Sequence, residues 1–219
     1  MTRTARIASC VAFPGSGYEV GGPVRKVVSY LLYSLDGVTE EPDEWMFNHA
    51  LDDESDSSST CGTYFDSELT DHLQYLVDTQ DAILLGRMTY EYWAPYWPNS
   101  DVEPFATFIN TSPKYVAAST LGEHQWQNTT RIEGSVADQI ALLKTQPGKN
   151  IGVHGSPTLV RSMLAQGLVD ELRLAVPPVV AGKGRRLLDD YPTVHHMRLL
   201  ESKQTSTGSL LLTYQPGAA

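Results

Sequence analysis

Residues 82–91 read AILLGRMTYE, an apolar run that meets Gly86 and continues with an arginine and a threonine. Short apolar runs bounded by turn residues are typical of strands buried on both faces. Gly86 lets the backbone approach a ligand closely, while Arg87 and Thr89 carry donors that suit a phosphate. The pattern therefore predicts a buried strand whose carboxyl end meets an anion. The alternative is an ordinary strand-to-helix turn with a surface arginine.

The net charge of the chain makes this arginine informative. The 219 residues carry a formal charge of -10 at pH 7. Such a charge argues against a nucleic-acid partner, because proteins that bind nucleic acids need a basic face. Any anionic ligand must then be held locally, against the field of the whole protein.

Length and composition indicate one soluble domain. The chain is 41% hydrophobic, which is ample for one large core. No apolar run reaches the roughly 20 residues that span a bilayer, and residues 1–23 lack a secretory signal. We expect no membrane partner and a cytoplasmic location. The two cysteines, Cys10 and Cys61, have neither disulfide nor metal-ligand spacing, so we expect free thiols and no metal site.

Composition also predicts the limits of the domain. Residues 1–23 mix Gly, Pro and Ser without periodicity, which indicates an N-terminal tail or extension. Residues 24–216 are expected to form a single domain. Within it, the acidic and serine-rich stretch 49–62 is expected to be a surface loop, with a docking element for a partner as a weaker alternative.

Strand signals alternate with helix signals along this domain. Ser67, Ser135 with Asp138, and Ser156 are predicted helix caps, and Pro157 and Gly167 fit the first turn and the end of the last helix. A proline pair in residues 171–180 suggests an edge strand or a bulge. The predicted strands are 27–35, 82–85, 114–120, 150–156, 171–180 and 209–215.

Alternating strands and helices of this length indicate βαβ units and a largely parallel sheet with helices on both faces. The last segments are expected to be antiparallel, which makes the sheet mixed. Ligands of such sheets gather where the parallel strands end and helices begin.

Three predicted strand ends carry residues that suit phosphates. Gly86 to Thr89 follow the predicted strand 82–85. Ser119 and Thr120 end the strand 114–120, and Gly155 and Ser156 end the strand 150–156. Their combination favours a dinucleotide, although neither the Rossmann nor the Walker glycine pattern is present. Alternatives remain at each point: an ordinary helix cap at Gly155, core packing for the aromatic residues 90–97, and a satisfied sheet residue for His154.

Several motifs together resemble the dihydrofolate reductase-like superfamily. They are SLDG at 34–37, ILLGRMTYE at 83–91, IGVHGS at 151–156 and PVVAGKGRRLL at 178–188. The chain is most similar to a bacterial branch that resembles the C-terminal reductase domain of the bifunctional riboflavin-biosynthesis deaminase-reductase. The zinc motif of the deaminase half is absent from the sequence.

The resemblance implies a three-layer αβα fold with a mixed, mostly parallel central sheet, an NADPH cofactor and a homodimer paired through the C-terminal part of the sheet. It implies that Ser119 and Thr120 lie near the 2′-phosphate and adenine. The other cofactor-binding positions that it implies lie at the remaining two strand ends: Gly86, Arg87, Met88, Thr89, Gly155, Ser156, Pro157 and Thr158.

On the substrate side, the resemblance implies Asp36 as the catalytic polar group, with Tyr30 and Trp45 beside the substrate. A turn aspartate that bonds its own backbone is the alternative for Asp36. No acid follows Trp45 until Asp52, which disfavours folate reduction itself. The expected activity is NADPH-dependent reduction of a small conjugated heterocycle: pterin-, pyrimidine- or flavin-precursor-like. The alternative is a catalytically weak NADP-binding module with a sensor or structural role.

Overall fold

A computed structural model describes residues 24–46, 64–122, 125–191 and 194–217. The predicted tail at 1–23, both cysteines and the whole of the predicted acidic loop at 49–62 lie outside these residues. The extent of the domain therefore stays a prediction. No helix within the described ranges is long and apolar enough to cross a membrane.

The described residues form one mixed sheet in the order β4-β3-β2-β5-β1-β6-β8-β7. Strands β1 to β6 pair in parallel, whereas β8 is antiparallel to both β6 and β7. The predicted mixed and mostly parallel sheet is confirmed. The strands are β1 Val27–Leu32, β2 Gln80–Gly86, β3 Lys114–Ala117, β4 Thr129–Arg131, β5 Asn150–Val153, β6 Glu171–Val176, β7 Met197–Gln204 and β8 Leu210–Pro216.

Helices cover both faces of this sheet. Alternate residues of each strand point to opposite faces, so a strand can contribute apolar side chains to the core on each side. On β1, Val27 and Leu31 pack with the cluster of α5 and α6, whereas Val28 and Tyr30 pack with that of α1 and α2. A third cluster joins β2 to α3 and α4. The helices are α1 Asp43–Met46, α2 Ser67–Thr79, α3 Arg87–Trp93, α4 Phe105–Thr111, α5 Val136–Lys144 and α6 Pro157–Ala165, with a 3-10 helix at Trp97–Asn99.

One of the three predicted helix starts needs correction, and a second lacks its capping bond. The cap of α2 is Asp66, whose carboxylate accepts a hydrogen bond from the Leu69 N–H at 2.9 Å, so Ser67 is the first helical residue. Ser156 does occupy the cap position of α6, but its side chain makes no capping bond. The Ser135 cap is confirmed, since its hydroxyl accepts from the Asp138 N–H at 3.0 Å.

The prediction of an edge strand or bulge at residues 171–180 is wrong. Strand β6 pairs with β1 on one side and with β8 on the other, so it is an interior strand. Pro177 and Pro178 come directly after its last residue, where their missing N–H groups remove no ladder bond.

Several elements have no counterpart in the sequence prediction: β4, β7, α1, α4 and the 3-10 helix. Strand β4 has three residues, too few for a periodicity to be seen. Strand β7, MRLLESKQ, is exposed along almost its whole length, and its residues do not alternate between apolar and polar. Strands β4 and β7 both form by pairing with a neighbouring strand, and local sequence does not show such pairing.

Candidate active site

The carboxyl ends of β2 and β5 meet in a close backbone contact. The Gly86 N–H donates to the Gly155 carbonyl at 2.9 Å. A Cβ atom on Gly86 would lie 2.4 Å from the Ser156 hydroxyl oxygen, a distance that no real side chain tolerates. Glycine is therefore required where the two strand ends touch.

Gly155 makes the second close approach. Its φ of 123° is a backbone conformation that L side chains rarely adopt, and a Cβ there would lie 2.7 Å from Thr89 Oγ1. The peptide bond between Gly155 and Ser156 is cis. The structure therefore brings together four of the predicted cofactor residues, which are distant in sequence: Gly86, Thr89, Gly155 and Ser156.

Helix α6 opens at this contact. Pro157 is its first residue, and the uncapped amide groups of its first turn give it a positive end. Thr158 is exposed, and its hydroxyl accepts a hydrogen bond from Arg185 Nη1 at 2.9 Å. The positive end of α6 thus has an arginine beside it that the sequence prediction did not include.

Arg87 lies at the mouth of the same contact, next to Gly86. Its side chain is 53% exposed, and its Nε donates to Glu91 Oε1 one helical turn later at 2.7 Å. The neighbouring Met88 side chain is also exposed. This position is compatible with a phosphate ligand, while the ion pair to Glu91 is what a surface arginine would form.

Ser119 and Thr120 follow β3 and are exposed. They lie on the same edge as Gly86, because Ala117 at the end of β3 is in register with Gly86. Arg131, the last residue of β4, donates from Nη1 to the Ser119 carbonyl at 3.4 Å. Sequence reasoning missed Arg131, since the segment TTR carries neither a glycine turn nor a strand pattern.

Asp36 is the most heavily bonded of the predicted substrate residues. Its carboxylate accepts from Ser34 Oγ at 2.7 Å, from the amides of Ala181 and Gly182 at 2.9 and 3.0 Å, and from Arg186 Nη2 at 3.1 Å. The Ser34 bond, followed by those amides, lowers the pKa of Asp36 to about 2. The carboxylate thus stays charged at neutral pH and ties the SLDG turn to the loop 181–186, a role that neither interpretation of the sequence anticipated.

Tyr30 and Trp45 share the apolar cluster of α1 and α2. Tyr30 is buried, whereas Trp45 is half-buried and donates from Nε1 to the Glu40 carbonyl at 2.9 Å. A bond of 2.7 Å from the Tyr92 hydroxyl to Asp43 Oδ2 joins α3 to α1. Tyr30 and Trp45 therefore lie on the α1–α3 side of the sheet.

His154 is the buried side chain that directly precedes Gly155. Its Nε2 lies 2.8 Å from Gln80 Oε1, and burial lowers the pKa of the imidazole to about 4. The ring is neutral at pH 7 and bonded within the sheet, as the sequence interpretation had it. Gly152 makes room for this bond, because a Cβ there would lie 2.0 Å from the same Gln80 oxygen.

An open groove of about 650 Å³ lies elsewhere, at the amino end of β2. Asp78, Asp81 and Lys149 are among its lining residues. It is at the opposite end of the strands from Gly86 and Gly155. No group of three or more potential metal ligands occurs in the part of the chain that the structure describes.

Comparison with known proteins gives the same assignment as the motifs. Residues 25–211 match the RibD C-terminal domain family. The chain belongs to this family. The uncharacterized protein YyaP of Bacillus subtilis (strain 168) is 29% identical over 153 residues, 68% of this chain and 79% of YyaP. A second uncharacterized protein of the same Bacillus subtilis strain, YwjB, is 28% identical over 186 residues, 82% of this chain and 92% of YwjB.

Solved structures confirm the dihydrofolate reductase-like fold of this RibD C-terminal domain. A putative riboflavin biosynthesis protein from Shewanella sp. PV-4 has a TM-score of 0.63 at 17% identity, covering 88% of this chain and 99% of that one. The riboflavin biosynthesis reductase Rib7 of Saccharomyces cerevisiae has a TM-score of 0.53 at 14% identity, covering 94% and 95%. A Thermotoga maritima deaminase/reductase has a TM-score of 0.59 at 14% identity, and the match covers 88% of this chain and 57% of that one.

Proposed function

We propose that this RibD-family chain is an NADPH-dependent reductase of a small conjugated heterocycle. The observation that carries the proposal is the contact between Gly86 and Gly155, which brings Thr89 and Ser156 to one point beside the positive end of α6. Two glycines that admit no side chain let the strand ends and the hydroxyl groups of Thr89 and Ser156 meet at one point. Such strand ends bind dinucleotides in other α/β proteins.

The residues around this contact fit the cofactor. Arg87 and Thr89 would hold one phosphate, and Ser156, Pro157 and Thr158 at the start of α6 would hold the pyrophosphate. Ser119 and Thr120, with Arg131 beside them, would take the 2′-phosphate. Gly86 and Gly155 would give the backbone its close approach, and the exposed Met88 would lie against the cofactor.

The protein's own part in the reaction is to bind the cofactor and the acceptor ring and to align them. NADPH, when bound, supplies the hydride. Tyr30 and Trp45 would position the acceptor ring on the α1–α3 side of the sheet, and the apolar clusters around them would exclude water. Asp36 would act as a positioning residue: its charged carboxylate fixes the loop 181–186, and its lowered pKa weighs against proton donation near neutral pH.

Titration with NADPH and with NADH tests the cofactor assignment. We expect tighter binding of NADPH, and we expect Arg87→Ala to weaken it about tenfold, the effect of losing one charge-assisted hydrogen bond. Arg198→Ala is the matched control, because Arg198 lies on β7 and bonds only Gln215 among the contacts of the described residues. Equal affinities for the two cofactors would contradict the proposal.

One observation favours a second candidate, the catalytically weak NADP-binding module. Asp36, the predicted catalytic group, and His154, which directly precedes Gly155, have pKa values of about 2 and about 4, far from those suited to proton transfer at pH 7. NADPH oxidation stimulated by a heterocycle supports the reductase. Tight cofactor binding without turnover over a wide panel of pterins, pyrimidines and flavin precursors supports the module.

The proposal also includes a homodimer located in the cytoplasm. Among the strands of the described ranges, β7 pairs only with β8, and it exposes Leu199 and Leu200 at 49% and 45%. Apolar side chains on a free edge favour a second copy of the chain over solvent.

A further inference from the structure

The loop 181–186, which follows β6, carries three cations close together in a chain whose formal charge is -10. Each cation faces a carboxylate from the segment 36–44. The pairs are Lys183 with Glu44, Arg185 with Glu40, and Arg186 with Asp36. They differ in how firmly the partners hold each other, and this difference shows which cation can change its partner.

Arg186 is fixed by the fold. Its Nε donates to the Asp36 carbonyl at 2.7 Å, and its Nη2 donates to the Asp36 carboxylate at 3.1 Å. The same carboxylate accepts from the amides of Ala181 and Gly182. Moving this guanidinium would disrupt the contact between the SLDG turn and the loop, so we assign Arg186 a structural role.

Arg185 is held much more loosely. Its Nε lies 3.7 Å from Glu40 Oε1, which is beyond the distance of a hydrogen bond. The other oxygen of Glu40 accepts from the backbone N–H of Arg185 at 3.0 Å. Both side chains reach solvent, at 50% and 40% exposure. Exposed ion pairs of this kind contribute little free energy, so the guanidinium can leave Glu40 at small cost.

The guanidinium of Arg185 points to the start of α6. Its Nη1 donates to Thr158 Oγ1 at 2.9 Å, which is its one hydrogen bond among the described residues. Arginine carries several more N–H donors in a planar fork. Thr158 is the second residue of α6, and no side chain caps the first turn of this helix. Donors of Arg185 and amides of α6 therefore lie together, where solvent reaches them.

This combination of donors suits a phosphate. The planar guanidinium can bind two phosphate oxygens at once, and the first amides of a helix bind phosphate groups. A pyrophosphate carries two such groups, so it can contact Arg185 and α6 together. Lys183 lacks this position, because it is 85% exposed and contacts only Glu44 among the described residues.

We propose that Arg185 is a cofactor-binding residue that exchanges its partner. Glu40 holds the guanidinium before the dinucleotide binds, and the pyrophosphate then takes the place of Glu40. The proposal rests on the proposed function and adds to it two residues, Arg185 and Glu40, to which no sequence motif gave a role. Glu40 lowers the affinity for the cofactor, because the phosphates must displace a carboxylate.

Calorimetric titration with NADP⁺ tests the exchange. Arg185→Ala should weaken binding about tenfold, the effect of losing one charge-assisted contact. Arg185→Lys should fall between this variant and the parent chain, because lysine keeps the charge but not the planar fork. Glu40→Gln should tighten binding by up to about fivefold. Glutamine can still accept from the Arg185 N–H, but it no longer carries the competing charge.

A second probe and a matched control separate a direct contact from the general field. Adenosine 2′-monophosphate has the 2′-phosphate but no pyrophosphate, so Arg185→Ala should leave its binding unchanged. Lys183→Ala removes the same charge from the same loop. We expect it to change NADP⁺ binding by less than about twofold, because solvent and salt screen an exposed charge that does not touch the ligand.

Four results would overturn the exchange in a parent chain that binds NADP⁺. They are unchanged NADP⁺ binding in Arg185→Ala, an equal loss in Lys183→Ala, an equal loss of adenosine 2′-monophosphate in Arg185→Ala, and weaker NADP⁺ binding in Glu40→Gln. A parent chain that does not bind NADP⁺ would instead refute the proposed function, and the exchange with it. The two failures are therefore distinguished by the titration of the parent chain.

Discussion

The surroundings of Arg87 fit both interpretations of this residue, as a phosphate ligand and as a surface arginine. It stands beside the Gly86 contact, as a phosphate ligand should, yet its guanidinium is engaged by Glu91 at 2.7 Å. In a chain of charge -10, this carboxylate adds to the field that an incoming phosphate must overcome. Glu91 is therefore a local competitor of the proposed cofactor.

Replacing this competitor should strengthen binding. We expect Glu91→Gln to tighten NADPH binding by up to about fivefold, since an exposed ion pair is worth about 0.2–1 kcal/mol. The change should shrink at high salt, and fluorescence titration at two salt concentrations measures both effects. Glu201→Gln removes the same charge from β7 and serves as the control. Weaker binding in Glu91→Gln would show that Glu91 holds Arg87 in its binding position.

Asp36 leads to a prediction about acid stability. Its pKa is lowered from 3.8 to about 2 in the folded chain, so its stabilising effect is complete above pH 3.8 and is lost as the pH falls to 2. Asp36→Asn should therefore lose less stability than the parent chain across this window. Urea unfolding at several pH values measures it, with Asp101→Asn as the control. Identical acid slopes for the parent and Asp36→Asn would refute the anchoring role.

At the scale of elements, the buried Lys114 joins α4 to β3. Its side chain has no exposed area, and Nζ donates to the carbonyls of Ile109, Asn110 and Ser112 at 2.8, 3.3 and 2.9 Å. The ammonium also lies 4.5 Å over the Trp126 ring. A cation at the carboxyl end of a helix is favourable, because the last carbonyls there lack partners within the helix.

Lys114→Met keeps the aliphatic stem and removes the donor. We expect a loss of about 2–4 kcal/mol in the free energy of unfolding, since buried carbonyls would lose their partner. Chemical unfolding measures it, and Lys203→Met on the exposed strand β7 is the control. A loss equal to that of the control would mean that water replaces the ammonium.

Elements that carry their own signals could be predicted from the sequence. Three such signals act locally, and the structure has all of them: the apolar run 82–85, the Ser135 cap and the proline–glycine pair around α6. Strand β7 could not be predicted, because an exposed edge strand has no buried face to impose a pattern. Arg131 was missed for a related reason: its place beside Ser119 depends on the pairing of β4 with β3.

At the scale of the whole molecule, the sheet has two unlike edges. Strand β4 is three residues long, whereas β7 has eight and is exposed almost throughout. The position of Gly86 beside Gly155 is likewise a property of the whole sheet, since it needs β5 to lie between β1 and β2. The glycines were visible in the sequence, but the distances between them were not.

The exposed edge predicts how copies of the chain associate. Light scattering at micromolar concentration should give the mass of a dimer, and Leu200→Glu should reduce it to that of a monomer, because a buried unpaired charge is costly. Val194→Glu is the control, since Val194 is 85% exposed and lies outside the strand. A monomeric parent chain would rule out the proposed homodimer.

The space left by Gly152 has a consequence for how related chains diverge. The Gln80 oxygen occupies the place where a methyl group would stand, and the same group would crowd His154 Nε2 at 2.9 Å. We therefore expect the amide at 80 and the bare backbone at 152 to occur together in related chains. Alanine at the second position would force the Gln80 side chain to move away or to be shortened, and the histidine would then need another acceptor.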